Sequence, residues 1–260
     1  MRILNKLILA GSIVSCFLTI FLATDAMSVT SAVSPEHINV DSFYHGGRIE
    51  VKGEAAADEE IIIKFSSPAK KVELRKKGKK GGLLWMNVGE LEFGPVSDVS
   101  LLFSTQDVNS LLSSEEQDKY LLGFDSFKRR VEVSPVSSEE EKEKWVNEFI
   151  RFKEKNKVYG WFTGKIETKT ENGKKSYALT MDWPYQASPQ QYTVSVYAVK
   201  DNAVQDHAES VFTVETTGAL KYLSNMAFNR ASFYGIVSIL IAIAAGFIVS
   251  VMFKGGGGSH

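Results

Sequence analysis

Seven cations fall within eleven residues of this 260-residue sequence: Lys70, Lys71, Arg75, Lys76, Lys77, Lys79 and Lys80. Only Glu73 opposes them, and the run leads into Trp85 and Asn87. Such a patch attracts anions, whether lipid headgroups, an acidic protein surface or a small anionic substrate, with Trp85 as a platform beside it. The competing reading is a solvated hairpin whose lysines keep an edge strand from pairing with other chains, with Trp85 in a core. Other chemistry is sparse. His37, His45 and His207 show neither HExxH nor i, i+4 metal spacing. The single cysteine, Cys16, can form no internal disulfide, CxxC pair or cysteine zinc cage. GxSxG, P-loop and CxxCH motifs are absent. Asp58-Glu59-Glu60 and Glu139 to Glu141 read as solvated faces, because general acid catalysis needs a carboxyl group in a desolvating pocket. No catalytic residue, metal ligand or cofactor is assigned, and the chain reads as non-enzymatic.

The elements that must position the basic patch follow from a strongly segmented sequence. Thirty Lys and Arg against 31 Asp and Glu give a formal net charge of -1, which excludes a strongly basic nucleic-acid binder. The apolar residues gather at the two ends. Arg2 and Lys6 precede Leu7 to Thr24, which carries no charge, and small residues follow, so residues 1–26 read as a secretory signal. Cleavage after Ala26 or after Ala32 fits this pattern. An uncleaved anchor is the alternative, and Ile13-Val14-Ser15-Cys16 also resembles a lipoprotein box, although the sequence after it stays apolar.

Ala231 to Phe253 has no charge over 23 residues and stops at Lys254, so residues 231–254 read as a transmembrane helix. Tyr222, Phe228, Phe233 and Tyr234 stand where an interfacial aromatic belt is expected. Ser238, Ala242, Gly246 and Ser250 recur every fourth residue and offer a smooth stripe to a partner helix. Residues 217–230 read as a juxtamembrane helix feeding straight into the span, and residues 255–260 as an engineered linker and tag.

Residues 33–216 read as mainly β: an extracytoplasmic, immunoglobulin-like antiparallel sandwich with a helical insert at 107–157. Strands are expected at His37 to Val40, Arg48 to Lys52, Glu60 to Phe65, Lys71 to Arg75, Leu83 to Met86 and Ser100 to Phe103. Gly46-Gly47, Gly53, Pro68 and Gly81-Gly82 stand as turns between them. The insert contains a short helix near Glu115 to Leu122, starting from Ser114. A longer one spans Glu139 to Asn156, opened by a Ser138/Glu141 capping box and carrying Trp145, Phe149 and Phe152 on one face. Both helices are expected over an edge or end of the sandwich. Val158 to Thr168 is expected to pair with Lys175 to Asp182 across a turn at Glu171-Asn172-Gly173. Two more strands, Gln191 to Ala198 and Ala208 to Glu215, close the domain.

From Phe43 onward the order of motifs resembles the Alph_Pro_TM family of transmembrane proteins. The motifs are Phe43-Tyr44-His45-Gly46-Gly47, then Ser67-Pro68, Arg75-Lys76-Lys77-Gly78 and Gly82-Leu83-Leu84-Trp85-Met86-Asn87. Trp183-Pro184 and Tyr192-Thr193-Val194 follow. Phe233-Tyr234-Gly235, Ala245-Gly246-Phe247 and Phe253-Lys254 close the series. A proline turn without the usual glycine and one extra residue before Trp85 depart from the family pattern. The resemblance implies a single-pass envelope protein that accompanies TauE/SafE-type anion permeases, with no enzymatic activity to carry over.

The expectation is therefore a bacterial inner-membrane protein with its domain in the periplasm and its C-terminus in the cytoplasm. It would be an accessory subunit, with the bilayer and an integral membrane protein as partners and no nucleic acid. The helix stripe would dock on that partner, and the basic hairpin would touch its outer surface or an anion near its entrance. Two other readings stay open: a periplasmic module sensing a small anion between the hairpin and Trp85, and a structural subunit of a respiratory or electron-transfer complex.

Overall fold

The computed structural model describes residues 28–81 and 83–254. The expected signal with Cys16 and the Ala26 cleavage point, and the closing 255–260 segment, lie outside the described residues.

Period-two alternation builds the first sheet. In β3 (Gly47–Ala56), Ile49, Val51 and Ala55 are buried, while Arg48, Glu50 and Lys52 point away. Strand β3 pairs with β1 (Ala32–Ser34) on one side and β11 (Lys174–Trp183) on the other, and β10 (Glu167–Glu171) completes the order β1-β3-β11-β10. Gly53, expected in a turn, lies inside β3 opposite Tyr177. A side chain there would overlap the Thr30 carbonyl oxygen and the Tyr177 hydroxyl, so the glycine serves a close approach instead.

A second, six-stranded sheet has the order β2-β13-β12-β4-β7-β9. Its strands are β2 (His37–Val40), β4 (Glu60–Ser66), β7 (Ser100–Ser104), β9 (Tyr159–Thr163), β12 (Gln191–Lys200) and β13 (Ala203–Thr216). Trp183 joins the two sheets. Its ring lies 4.7 Å from Tyr192, 4.8 Å from Phe212 and 6.0 Å from Phe65, all on the second sheet. Ile61, Ile63, Phe65, Val194 and Val196 face this shared core. Ile62, Leu102, Tyr197 and Val199 point the other way and are also buried. They are covered by α1 (Val108–Leu111), α2 (Ser114–Tyr120) and α3 (Phe124–Arg130), through residues such as Leu111, Leu112 and Leu122. The short helices therefore cover a sheet face rather than an edge. Burial on both faces is why β4 and β7 read as nearly continuous apolar runs.

Two further differences from the sequence reading concern which strands pair and in which direction. The expected strand over Val158 to Thr168 is split at Gly164, whose φ is +71°. Its first part, β9, pairs in parallel with β7, and only its second part, β10, forms the hairpin with β11. Asn172 and Gly173, with φ of 51° and 77°, make that turn as expected. Strand β13 also pairs in parallel with β2, so the mainly β sandwich is not wholly antiparallel.

A third sheet, β5-β6-β8, consists of β5 (Lys70–Lys80), β6 (Leu84–Val96) and β8 (Glu132–Ser134). It packs against α4 (Glu139–Lys155), with Phe93 stacked on Phe149 at 4.6 Å. Ser138 caps α4 by accepting from the Glu141 amide at 3.2 Å. The return arm differs from the expected box, since Glu141 Oε2 accepts from the Ser137 amide at 3.0 Å.

After β13 come α5 (Gly218–Asn229) and α6 (Ala231–Lys254). They do not form one straight rod. Arg230 leaves the helical region (φ -139°, ψ 50°) and breaks the chain direction between them.

Candidate functional site

The basic run occupies one arm of the β5–β6 hairpin, and strand periodicity sorts it onto two faces. Val72, Leu74 and Lys76 are half-buried toward α4 and Gly78 is half-buried under Val88, while Lys71, Glu73, Arg75, Lys77 and Lys79 point to solvent. Backbone register sets Lys77 opposite Asn87, Lys79 opposite Trp85 and Lys80 opposite Leu84. A bulge follows, where Val88 is the extra residue between the Lys77–Asn87 and Lys76–Gly89 pairs.

Much of the positive charge is already engaged. Lys70 Nζ lies 2.5 Å from Asp98, Lys71 Nζ 2.7 Å from Glu92, Arg75 Nε 3.7 Å from Glu90 and Lys76 Nζ 3.4 Å from Glu141. Asn87 is spent locally, because its side-chain oxygen accepts from the Gly89 amide at 3.1 Å and braces the bulge. Lys70, Lys71, Arg75 and Lys76 thus act as struts along the lower part of the hairpin. Burial would raise the Asp98 carboxyl, but Lys70, Gln190 and Lys153 outweigh it and hold the group below its ordinary value. The Glu141 carboxyl is likewise held low, by the Ser137 amide first and then by Trp145 and Lys76.

Sequence reasoning missed the apolar end of this hairpin. Leu83 is 88% exposed, Leu84 70%, Met86 44% and Val88 48%. Across the ladder Met86 meets only Gly78 and Leu84 meets Lys80, so the facing strand offers them no apolar partner. A small groove of about 120 Å³ lies nearer the base, between Leu74, Leu91 and Phe93 on the hairpin and Trp145, Phe149 and Phe152 on α4.

The remaining candidates are dispersed. His37 faces Glu215 at 3.7 Å, His45 contacts the Phe43 carbonyl and His207 stacks on Tyr197. The Asp58–Glu60 run is more than a solvated face. Asp58 pairs with Lys200 at 2.6 Å, Glu60 pairs with Lys175 at 3.1 Å, and Glu59 is buried and accepts from the Ala56 amide at 3.0 Å. Among the described residues, no group of three or more His, Cys, Asp or Glu side chains is placed to hold a metal ion.

Ala231–Phe253 has a mean hydropathy of 2.8 and none of it is buried within the chain. Ser238, Ala242, Gly246 and Ser250 are all exposed along it, and a side chain added at Gly246 would meet nothing within 4 Å. Ser238 Oγ donates to the Tyr234 carbonyl at 2.8 Å, so its polarity is satisfied inside the helix.

Among the described residues a β-rich domain is continued by one long, uncovered apolar helix, which fits a single-pass membrane protein. Residues 28–255 match the family model described as "Putative transmembrane protein (Alph_Pro_TM)", and the chain belongs to that family. No curated protein matches the sequence.

Proposed function

We propose that this protein is a non-enzymatic accessory subunit, tethered by α6 and docked through that helix on an integral membrane partner. The reading carries the domain on the periplasmic side of a bacterial inner membrane and the C-terminus in the cytoplasm. An anion permease of the TauE/SafE type is the partner that the family resemblance suggests. One observation carries the proposal: among the described residues nothing covers the small-residue row Ser238, Ala242, Gly246 and Ser250. Such a row lets a second helix approach closely, which is how helices associate in lipid. The non-enzymatic part draws on Asp58, Glu60, Asp98 and Glu141, carboxylates committed to ion pairs with lysines.

Purification of the full chain in mild detergent tests the reading. A stoichiometric integral membrane protein should co-purify, and Gly246→Leu should reduce its recovery several-fold while leaving the β domain folded. Recovery of a monodisperse monomer, or a complex indifferent to Gly246→Leu, would overturn the proposed docking.

A further inference from the structure

We propose that the tip of the β5–β6 hairpin is a lipid-docking finger that inserts its apolar side into the surface of an anionic bilayer. This goes beyond the accessory role and does not rest on it.

The inference starts from the two faces of the ribbon. On the side covered by α4, Leu74, Leu91 and Phe93 are packed, and cover extends as far as Lys76, whose ammonium lies over the Trp145 ring. Beyond that point the same side continues with Val88, Met86 and Leu84. Val88 lies over Gly78, where a Cβ would approach the Val88 side chain to 2.8 Å, and Met86 is the register partner of Gly78. All three are exposed, and among the described residues Leu83 at the turn is the most exposed large apolar residue of the hairpin. The uncovered part of β5, from Lys77 to Lys80, extends the ribbon by roughly 13 Å at about 3.3 Å per residue.

By register the opposite side carries Lys77 and Lys79, both exposed, paired with Asn87 and Trp85, and Lys80 stands beside Leu84 at the end of the apolar side. An apolar side with cations behind it is the composition that settles into the headgroup layer, with lysine stems lying along the apolar boundary and ammonium groups reaching anionic phosphates. A neutral protein groove would explain the leucines but not the lysines, and an acidic protein surface the reverse. The occupant is also at hand, because α6 is long and apolar enough to span a bilayer and would hold the hairpin near its surface at high effective concentration.

The test uses the full chain with Cys16→Ser, which removes the only thiol, and Leu84→Cys carrying an environment-sensitive fluorophore. It is reconstituted without any other protein in nanodiscs of phosphatidylcholine alone or of equal parts phosphatidylcholine and phosphatidylglycerol. Blue-shifted emission and a loss of about half the intensity to headgroup-level nitroxide lipids are expected in the anionic discs, with a smaller effect in the neutral ones. Lys77→Glu with Lys79→Glu should abolish the difference between disc types while circular dichroism stays unchanged. Water-like, unquenched emission in both discs overturns the proposal. Because no partner is present, these outcomes are independent of whether α6 docks on one.

Discussion

The ammonium of Lys76 lies 4.7 Å from the centre of the Trp145 ring, so the basic hairpin is clamped onto the acidic start of α4. Glu141 completes the clamp, accepting from Trp145 Nε1 at 3.3 Å and pairing with Lys76 at 3.4 Å. The indole also packs against the core beneath it, so area and charge make separable contributions. Trp145→Ala should destabilise the domain by about 2 kcal/mol, somewhat below the range for a fully buried tryptophan. Lys76→Met should cost no more than about 1 kcal/mol, because it removes only a half-exposed cation. Denaturant unfolding of the full chain in detergent measures both. Hydrogen exchange should accelerate around Lys76 in the first variant and little in the second.

The N-terminal segment is tied to the sandwich ahead of β1. Val29 is buried, its amide and the Ser28 hydroxyl donate to Asp206 at 2.8 and 2.9 Å, and Tyr177 donates to the Thr30 carbonyl across Gly53. Cleavage after Ala32 would delete Val29 and Thr30, so mass spectrometry of the processed chain should find a start at Met27. Gly53→Ala would force a Cβ into the Thr30–Tyr177 contact and should cost about 2 kcal/mol or more. Limited proteolysis near residue 30 should speed up with it. A start at Val33, or an undisturbed Gly53→Ala, would mean the segment is dispensable.

Alternation and apolar length made most of the architecture readable in sequence. Arg48 to Lys52, Gln191 to Ala198 and the Asn172-Gly173 turn each specify their geometry locally, as does the Ser138 cap. Partnership was not readable. Tyr159 to Thr163 suits either an antiparallel or a parallel neighbour, and its position beside β7 depends on α4 bringing the chain back. The run Ile61-Ile62-Ile63 shows burial without saying that α1–α3 provide half of it. At the candidate site, the cations of the hairpin were visible but their carboxylates were not. Asp98 and Glu141 lie far along the chain from Lys70 and Lys76, and ion pairing at that separation leaves no periodic trace.

Asp98 ties three elements together. Beside Lys70 it faces Lys153 at 3.7 Å and accepts from Gln190 Nε2 at 3.1 Å. Its carboxyl is held below the ordinary value, so its contribution is present above the unfolded carboxylate range near pH 4 and fades as pH falls through the folded value. Asp98→Asn leaves the largely buried Lys153 without its counter-charge and should cost about 1 kcal/mol at neutral pH, allowing for solvent screening. The gap between wild type and variant should begin to narrow as pH drops below about 4, where the unfolded carboxyl protonates, and close once pH has fallen through the lower folded value. A gap that persists in acid would assign the loss to packing instead.

Lys64 shows the opposite linkage. It lies on the α1–α3 side of β4, donates to the Tyr120 carbonyl at 2.9 Å, and is pushed down to about 8 by burial, against the pull of Glu209. Its charged form is thus disfavoured in the fold. Below pH 8 both states carry the proton and the native state bears the full cost of a buried ammonium. Between about 8 and the unfolded value of 10.5 the unfolded chain binds more protons, so this residue makes stability rise with pH. Lys64→Met abolishes that rise. It also leaves the Tyr120 carbonyl unpaired, which costs about 1–3 kcal/mol at every pH, so the readout is the pH slope and not the offset. Wild type should gain up to about 3 kcal/mol on the variant between pH 7 and 10.5, since the folded ammonium loses its proton near 8 and the unfolded one near 10.5. Tyrosines titrating in that range are common to both chains and cancel in the difference. Parallel stability curves would show that Lys64 keeps an ordinary ammonium in the fold, and would remove burial as the dominant influence on it.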